Sequence, residues 1–406
     1  YGVSEMRKSM KLNKRFWVLV VAFTLLISGL GLISYYIINE STNLFKVMIN
    51  RTFNALEDNV IDSDSIQNNL TLKVSGSSGD SATNNIIEMF SKIDLNLIYG
   101  VNYKDKIINT KLNSKYNGDE LLNGNIYTEN GKAYGNIDDV YDKYIMFDVE
   151  DYDKLFSVGS NPDDMKMVMK KINKHLNESL RDEYFERGKK EGYKYIKLKL
   201  TEENYKEIRE KFISALKEDN VFLRSMAKIT GDSESKIRSY LDNLLEQESI
   251  DDVDITIYTK GIVNSFKKIE IEEDDVVFSV TPADGKYEYS IADDSSIISD
   301  GEFSINKYKN GFKGEISVND RNTNSQVKVV FNNKIRKNAS IKKEDISNNI
   351  GYEDISSVDK VKIYTNIMKN KNILEIVKQI SLYSISTYRG SDSGFSIPDD
   401  NLAIVS

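Results

Sequence analysis

The chain has 406 residues, a formal net charge of −8 and no cysteine. The missing thiols exclude disulfides, thiol catalysis, thiolate metal sites and a lipid-modified cysteine. The acidic balance argues against nucleic acid and against electrostatic docking on an anionic membrane surface.

Residues 16–38 contain no charged side chain, and a helix of that length spans roughly 35 Å, enough to cross a bilayer. Arg7, Lys8, Lys11, Lys14 and Arg15 precede it against Glu5 alone, so the positive-inside bias predicts a cytoplasmic basic tail over 1–15 and a single-pass transmembrane helix over 16–38. The bulk of the chain then lies outside the cell membrane. Trp17 at one end of the run and Tyr35 with Tyr36 at the other fit the headgroup layers. A cleaved signal peptide would have a shorter apolar core and a small-residue cleavage site. Phe45, Met48, Ile49, Phe53, Leu56 and Val60 recur at helical spacing and extend the anchor into a juxtamembrane amphipathic helix over 39–61. That helix either packs on the domain beyond or pairs with a second copy as a homodimer.

Period-two alternation then predicts strands. Leu70, Leu72 and Val74 share one face, as do Ile93, Leu95, Leu97, Tyr99 and Val101, after a Gly/Ser link at 76–79 and a short helix around 86–90. Further strands are expected over 107–115, 120–128, 132–137 and 143–149. Asn130-Gly131 is a two-residue hairpin signal that would set Tyr127 across from Tyr134. The period changes over 160–250. Met165, Val168, Met169, Ile172, Leu176, Leu180 and Tyr184 predict one long helix starting at Asn161-Pro162 and stopping near Gly188 or Gly192. After a short strand over 195–200, Thr201 reads as an N-cap, and another helix starts at Asp232. Strands return over 255–260, 265–272, 276–281, 286–291, 302–308, 311–318 and 326–331, with Asp284-Gly285 and Asn310-Gly311 as tight turns. Consecutive hairpins imply an antiparallel meander. Two short helices are expected within 351–388, then a flexible tail over 389–406.

Strands, a helical insert and strands again fit either two α+β subdomains or one large curved sheet with helices against it. The hairpin YTENGKAYGNI (127–137), leading through DKYIMFDVEDY (142–152) into the long helix, and DITIYTKGIVNSFKKIEI (254–271), reopening the sheet, resemble the outer-membrane lipoprotein carrier and lipid-trafficking lipoprotein superfamily. The resemblance covers about residues 68–333 and implies an α+β half-barrel over 62–350 that folds over helices and holds acyl chains between them. Its members are soluble or tethered through a lipidated cysteine. A membrane helix without any cysteine instead implies holding or presenting a lipid close to the membrane.

His175, the only histidine, would have to serve any Ser/His/Asp triad, and a satisfied or surface helix histidine is the simpler reading. Acidic pairs such as Asp62/Asp64 and Asp138/Asp139 sit at strand ends as ordinary turn chemistry, and none fits a twelve-residue calcium loop. No cofactor, metal ligand set or catalytic constellation stands out. Leu95, Leu97, Tyr99, Tyr127, Tyr134 and Phe147 on strands, facing Met165, Met169 and Ile172 on the long helix, are the candidates for an apolar ligand groove; filling the core would demand the same spacing. The composition, rich in Asn, Lys, Ile and Tyr, fits a Gram-positive-type bacterium. The expected function is non-catalytic binding of a lipid or other amphiphile. The alternative is an envelope scaffold or sensor ectodomain with no ligand cavity.

Overall fold

A computed structural model of the chain describes residues 44–60, 62–246, 252–260, 265–378 and 380. The basic tail (1–15), the membrane helix (16–38) and the C-terminal tail (389–406) of the sequence reading lie outside these. Among the described residues no helix is long and apolar enough to cross a membrane.

Helix α1 (Leu44–Asn59) leads into the first meander: β1 (Ser65–Ser78), helix α2 (Ser81–Ser91), β2 (Ile93–Asn102), β3 (Ile107–Tyr116), β4 (Asp119–Glu129), β5 (Lys132–Ile137) and β6 (Tyr144–Asp148). Helices α3 (Lys154–Ser160) and α4 (Pro162–Ser179) follow. A hairpin, β7 (Phe185–Lys190) and β8 (Tyr193–Leu200), then precedes helices α5 (Glu202–Glu218), α6 (Asn220–Thr230) and α7 (Glu234–Leu245). The second meander runs β9 (Val253–Lys260), β10 (Ser265–Glu273), β11 (Val276–Ala283), β12 (Lys286–Asp293), β13 (Ser296–Tyr308), β14 (Gly311–Asp320) and β15 (Ser325–Lys337). A short β16 (Asn349–Gly351), helix α8 (Ser357–Lys369) and a further helical stretch over 371–378, the expected closing pair of helices, end the described fold.

Among the described residues all sixteen strands form one sheet, ordered β16-β6-β5-β4-β3-β2-β1-β15-β14-β13-β12-β11-β10-β9-β8-β7. Of the two architectures the sequence left open, the continuous sheet is the one adopted. The seam is β1 against β15, antiparallel from Ile66↔Lys337 to Ser78↔Ser325. Residues 76–78, read as part of a linker, therefore continue a strand. Among the described strands only β16 on β6 is parallel. The edges are blunted as sheets require: β16 has three residues, and β7 carries Glu186, Arg187, Lys189 and Lys190.

Turn chemistry sets the register. Asn130 and Gly131 both have positive φ (54° and 80°), the type I′ arrangement, and Tyr127 lies opposite Tyr134 as expected. In the β13–β14 hairpin Tyr308 pairs with Gly311, so the turn is centred on Lys309-Asn310 rather than Asn310-Gly311.

The long helix ends at Ser179, earlier than its apolar spacing suggests. Leu180 and Tyr184 belong to the sheet core instead, where they pack with Leu198, Ile208 and Ile257. Gly188 lies within β7 beneath the Tyr195 ring, which leaves no room for a Cβ. Helix α6 escaped the sequence reading. Its N-cap is Asp219, whose carboxylate accepts from the backbone N–H groups of Val221 and Phe222. Thr201 caps α5 as expected.

The two faces of the sheet are covered differently. One face carries α1 and α5 at its β8–β13 end, where Leu44, Phe45, Ile208, Val253, Ile257, Ile269, Phe278, Val280 and Phe303 form the main core. The amphipathic α1 thus packs on the domain, the first of the two outcomes foreseen for it. Helices α4 to α7 share a second core of Val168, Ile213, Leu216, Phe222, Leu223, Ile229, Ile237 and Leu241. The opposite face is crossed by residues 338–348, a strap that lays Ile341 over Gly100 and Ile346 beside Ile107, Tyr127 and Tyr134. Asn109 donates to Lys342 O (3.2 Å) and Glu344 Oε1 (2.7 Å) to hold it.

Tyr127 is fully buried beneath this strap, while its neighbour Ile126, on the other face, is 54% exposed. Tyr127→Ala is therefore expected to lower stability by about 3–5 kcal/mol, the usual result of deleting a buried aromatic. Ile126→Ala should stay within about 1 kcal/mol, as for exposed positions. Urea unfolding of both variants checks this, and equal losses would contradict the assignment of faces.

Candidate functional site

Alternation and register place Leu70, Leu72 and Val74 of β1 on the helix-bearing face. Beside them stand Leu95, Leu97 and Tyr99 of β2, Leu112 of β3, Val327, Val329 and Phe331 of β15, and Ile316 and Val318 of β14. None of these positions is charged. Apart from Lys337 and Asp320 at strand ends, the charges of the same strands, Lys73, Asp94, Lys111, Lys115, Lys313, Glu315, Lys328, Lys334 and Arg336, stand on the strap-bearing face. The apolar band crosses six strands from β14 to β4, about 24 Å at the normal interstrand spacing. It adjoins the main helix-covered core at Ile316 and Phe303.

Most of the band is half-buried rather than buried: Leu70, Leu72, Val74, Leu95, Leu97, Leu112 and Phe331 all keep some solvent contact. Tyr99, Ile126, Val318 and Ile305, around it on the same face, are exposed. Aromatic side chains approach two glycines of the band. Tyr289 crosses Gly301 and donates to Ser317 O at 3.0 Å, and Phe331 crosses Gly314; a Cβ at either glycine would overlap its neighbours. Burial pushes the Tyr103 and Tyr287 hydroxyls above their usual range and raises Tyr289 to about 12, as poorly hydrated surroundings require.

The ends of the band are closed by helices. At one end Ile86 and Met89 of α2 pack on Ile93, Tyr116 and Leu122, joined by Ile373 and Ile376. At the other, the β2–β3 turn meets α3. The Tyr103 ring occupies the space a Cβ on Gly159 would fill (1.9 Å from Cε1), Tyr152 donates to Lys106 O, and Lys106 pairs with Asp153 at 2.6 Å. Gly159→Ala should therefore destabilise by about 1–3 kcal/mol through overpacking, against the roughly 1 kcal/mol gain that helix propensity alone would give. A thermal-unfolding double-mutant cycle with Tyr103→Ala should recover most of the loss. A stabilising Gly159→Ala would show that this contact does not hold the helices to the hairpin.

Four of the expected groove residues stand on this face: Leu95, Leu97, Tyr99 and Phe147, the last stacked on Tyr352 at 5.3 Å. Tyr127 and Tyr134 do not. They occupy the opposite face beneath the strap, because a two-residue I′ turn puts directly opposed residues on one side and strand parity fixes which. Met165 and Ile172 also point elsewhere, packing against the helical core of α4–α7 rather than the sheet. Met169 is half-buried on α4. Leu72, read only as part of a strand face, and Leu112, Ile316, Val329 and Phe331 are not among the expected groove residues. Their alternation is readable, but the β1–β15 seam that brings them together is not.

His175 is buried, with Nε2 2.9 Å from Asp219 Oδ2 and Nδ1 3.4 Å from Glu178. Lys171 reaches the same Asp219 oxygen at 2.8 Å. Burial raises the Asp219 pKa, but the hydrogen bonds from Lys171 and His175 outweigh it and hold the carboxyl well below its usual range. Since that carboxylate also caps α6, the cluster ties α4 to the α5–α6 junction, a structural use of the histidine. Among the described residues no group of three or more His, Asp or Glu side chains is placed to hold a metal ion.

The fold and its open apolar band define a class of protein, an α+β domain with a strongly two-sided sheet. No protein-family model matches the chain, and no curated protein matches it.

Proposed function

We propose that this protein is a membrane-anchored, extracytoplasmic binding protein that holds the acyl portion of a lipid or other amphiphile against its sheet, as a half-barrel does, without catalysing a reaction. The observation that carries the reading is the charge-free band on β14, β15 and β1–β4, bordered by helices at both ends yet only half-buried. Each methylene removed from water contributes about 0.8 kcal/mol, and the band is long enough for an extended acyl chain. The charge-free run at 16–38 would keep such a site beside its source of lipid. The test is native mass spectrometry and organic extraction of the full chain purified from bacterial membranes in mild detergent. A stoichiometric lipid retained after exhaustive detergent exchange supports the reading, and a clean ligand-free mass removes it.

A second reading, an envelope interaction protein, is favoured by α8. There Val358, Val361 and Tyr364 are 78%, 65% and 63% exposed at helical spacing. Single apolar helix faces of this kind suit a groove on another protein.

A further inference from the structure

The strap-bearing face contains a trough of about 510 Å³ that runs across β15, β1, β2, β3 and β4. Its floor is the backbone at Phe331, Leu72, Leu95 and Ser114, whose side chains turn to the other face. Two cross-strand ladders make its walls. One is Asn332, Thr71, Asn96, Asn113 and Asn123, in register strand by strand. The other is Val330, Lys73, Asp94, Lys115 and Glu120, in which Lys73 pairs with Asp94 at 3.1 Å.

Three features decide what such a trough takes. The charged wall alternates in sign and sums to zero, so it offers no net attraction to a polyanion or a polycation. In the amide wall Asn96 and Asn113 each carry a donor and an acceptor, the pairing that a hydroxyl group, itself donor and acceptor, satisfies, whereas Asn123 donates to Glu120 of the other wall and Asn332 Oδ1 accepts from the Tyr308 hydroxyl at 2.8 Å. The Asn96 Oδ1 atom is shielded from solvent and accepts no hydrogen bond from any described group. The ladders repeat on the interstrand spacing of about 4.8 Å, close to the rise per sugar of an extended glycan, and five strands cover about 19 Å.

We infer that this trough binds an extended, uncharged polysaccharide segment laid across the strands, with hydroxyls bridging the two ladders. This site is independent of the apolar band: it lies on the opposite face and shares no exposed side chain with it.

The experiment is isothermal titration of the full chain in detergent with chitohexaose and cellohexaose, and with polygalacturonate and polylysine as charged probes. The expected result is saturable binding of at least one neutral hexasaccharide in the millimolar range or tighter. Asn113→Ala/Asn123→Ala should weaken it at least tenfold at an unchanged melting temperature, and Leu97→Asp on the opposite face should leave it unchanged. Binding of neither neutral probe, binding of the charged polymers alone, or equal affinity in the double Asn variant would overturn the assignment. If the Asn pair lowers the melting temperature, Lys73→Ala/Lys115→Ala, on exposed positions of the other wall, serves in its place with the same expected loss.

Discussion

If the apolar band holds a lipid as proposed, Leu97→Asp should abolish lipid retention by the full chain while leaving its fold intact. Leu97 sits mid-strand on β2, between Leu70 of β1 and Leu112 of β3, and is half-buried. In the ligand-free domain a carboxylate there reaches water, so the melting temperature should change little. Under an acyl chain it would be desolvated without a partner, at a cost of at least about 2–4 kcal/mol, or roughly 30- to 1,000-fold in affinity. The measurement is the amount of lipid extracted per mole of protein, wild type against variant, with circular dichroism melts in parallel. Lys73→Leu, on the opposite face of the neighbouring strand, is the matched control and should retain the lipid. Retention by Leu97→Asp, or loss by both variants, would separate any bound lipid from this face and move the function to the α8 surface.

Asp219→Ala is expected to lower stability by about 3–5 kcal/mol, because it leaves the buried His175 and the half-buried Lys171 without their shared acceptor and uncaps α6. The pH dependence follows from the direction of the shift. The folded-state pKa of Asp219 lies below its ordinary value of 3.8, so near pH 3–4 the unfolded chain binds more protons than the folded one, and stability rises with pH there. The stabilisation from this carboxylate is fully present above about pH 5, and it is lost as the pH falls through the folded-state value. Urea titrations at pH 3 and pH 7 should show the wild type losing more stability on acidification than Asp219→Ala does. Equal acid sensitivity in the two proteins would remove this cluster as a determinant of stability.

Much of the local structure is legible in the chain itself. Alternation at Leu70–Val74 and at Leu95–Tyr99 defines strands because side chains on a pleated strand point to opposite faces in turn. Asn130-Gly131 defines a hairpin because few other pairs accept two positive φ angles. Thr201 and Asn161-Pro162 define helix starts through capping and the missing proline N–H. Where apolar spacing served two purposes at once, local reading erred: Leu180 and Tyr184 continue the period of α4, yet they leave the helix to fill the core under β8 and β9.

The site was legible only in part, for a physical reason. Period two separates the two faces of a strand but does not say which one a helix will cover. The choice that sends Tyr127 and Tyr134 beneath residues 338–348, and Leu95, Leu97 and Tyr99 to the other side, depends on a segment more than two hundred residues away. The composition excluded thiol chemistry, and the alternation prescribed a two-faced antiparallel sheet. Only the tertiary structure, by closing β1 onto β15, joined Leu72 to Phe331 on one face and Thr71 to Asn332 on the other. That seam makes the apolar band and the polar trough, because backbone hydrogen bonding between strands is indifferent to sequence distance while the side-chain pattern of each strand is not.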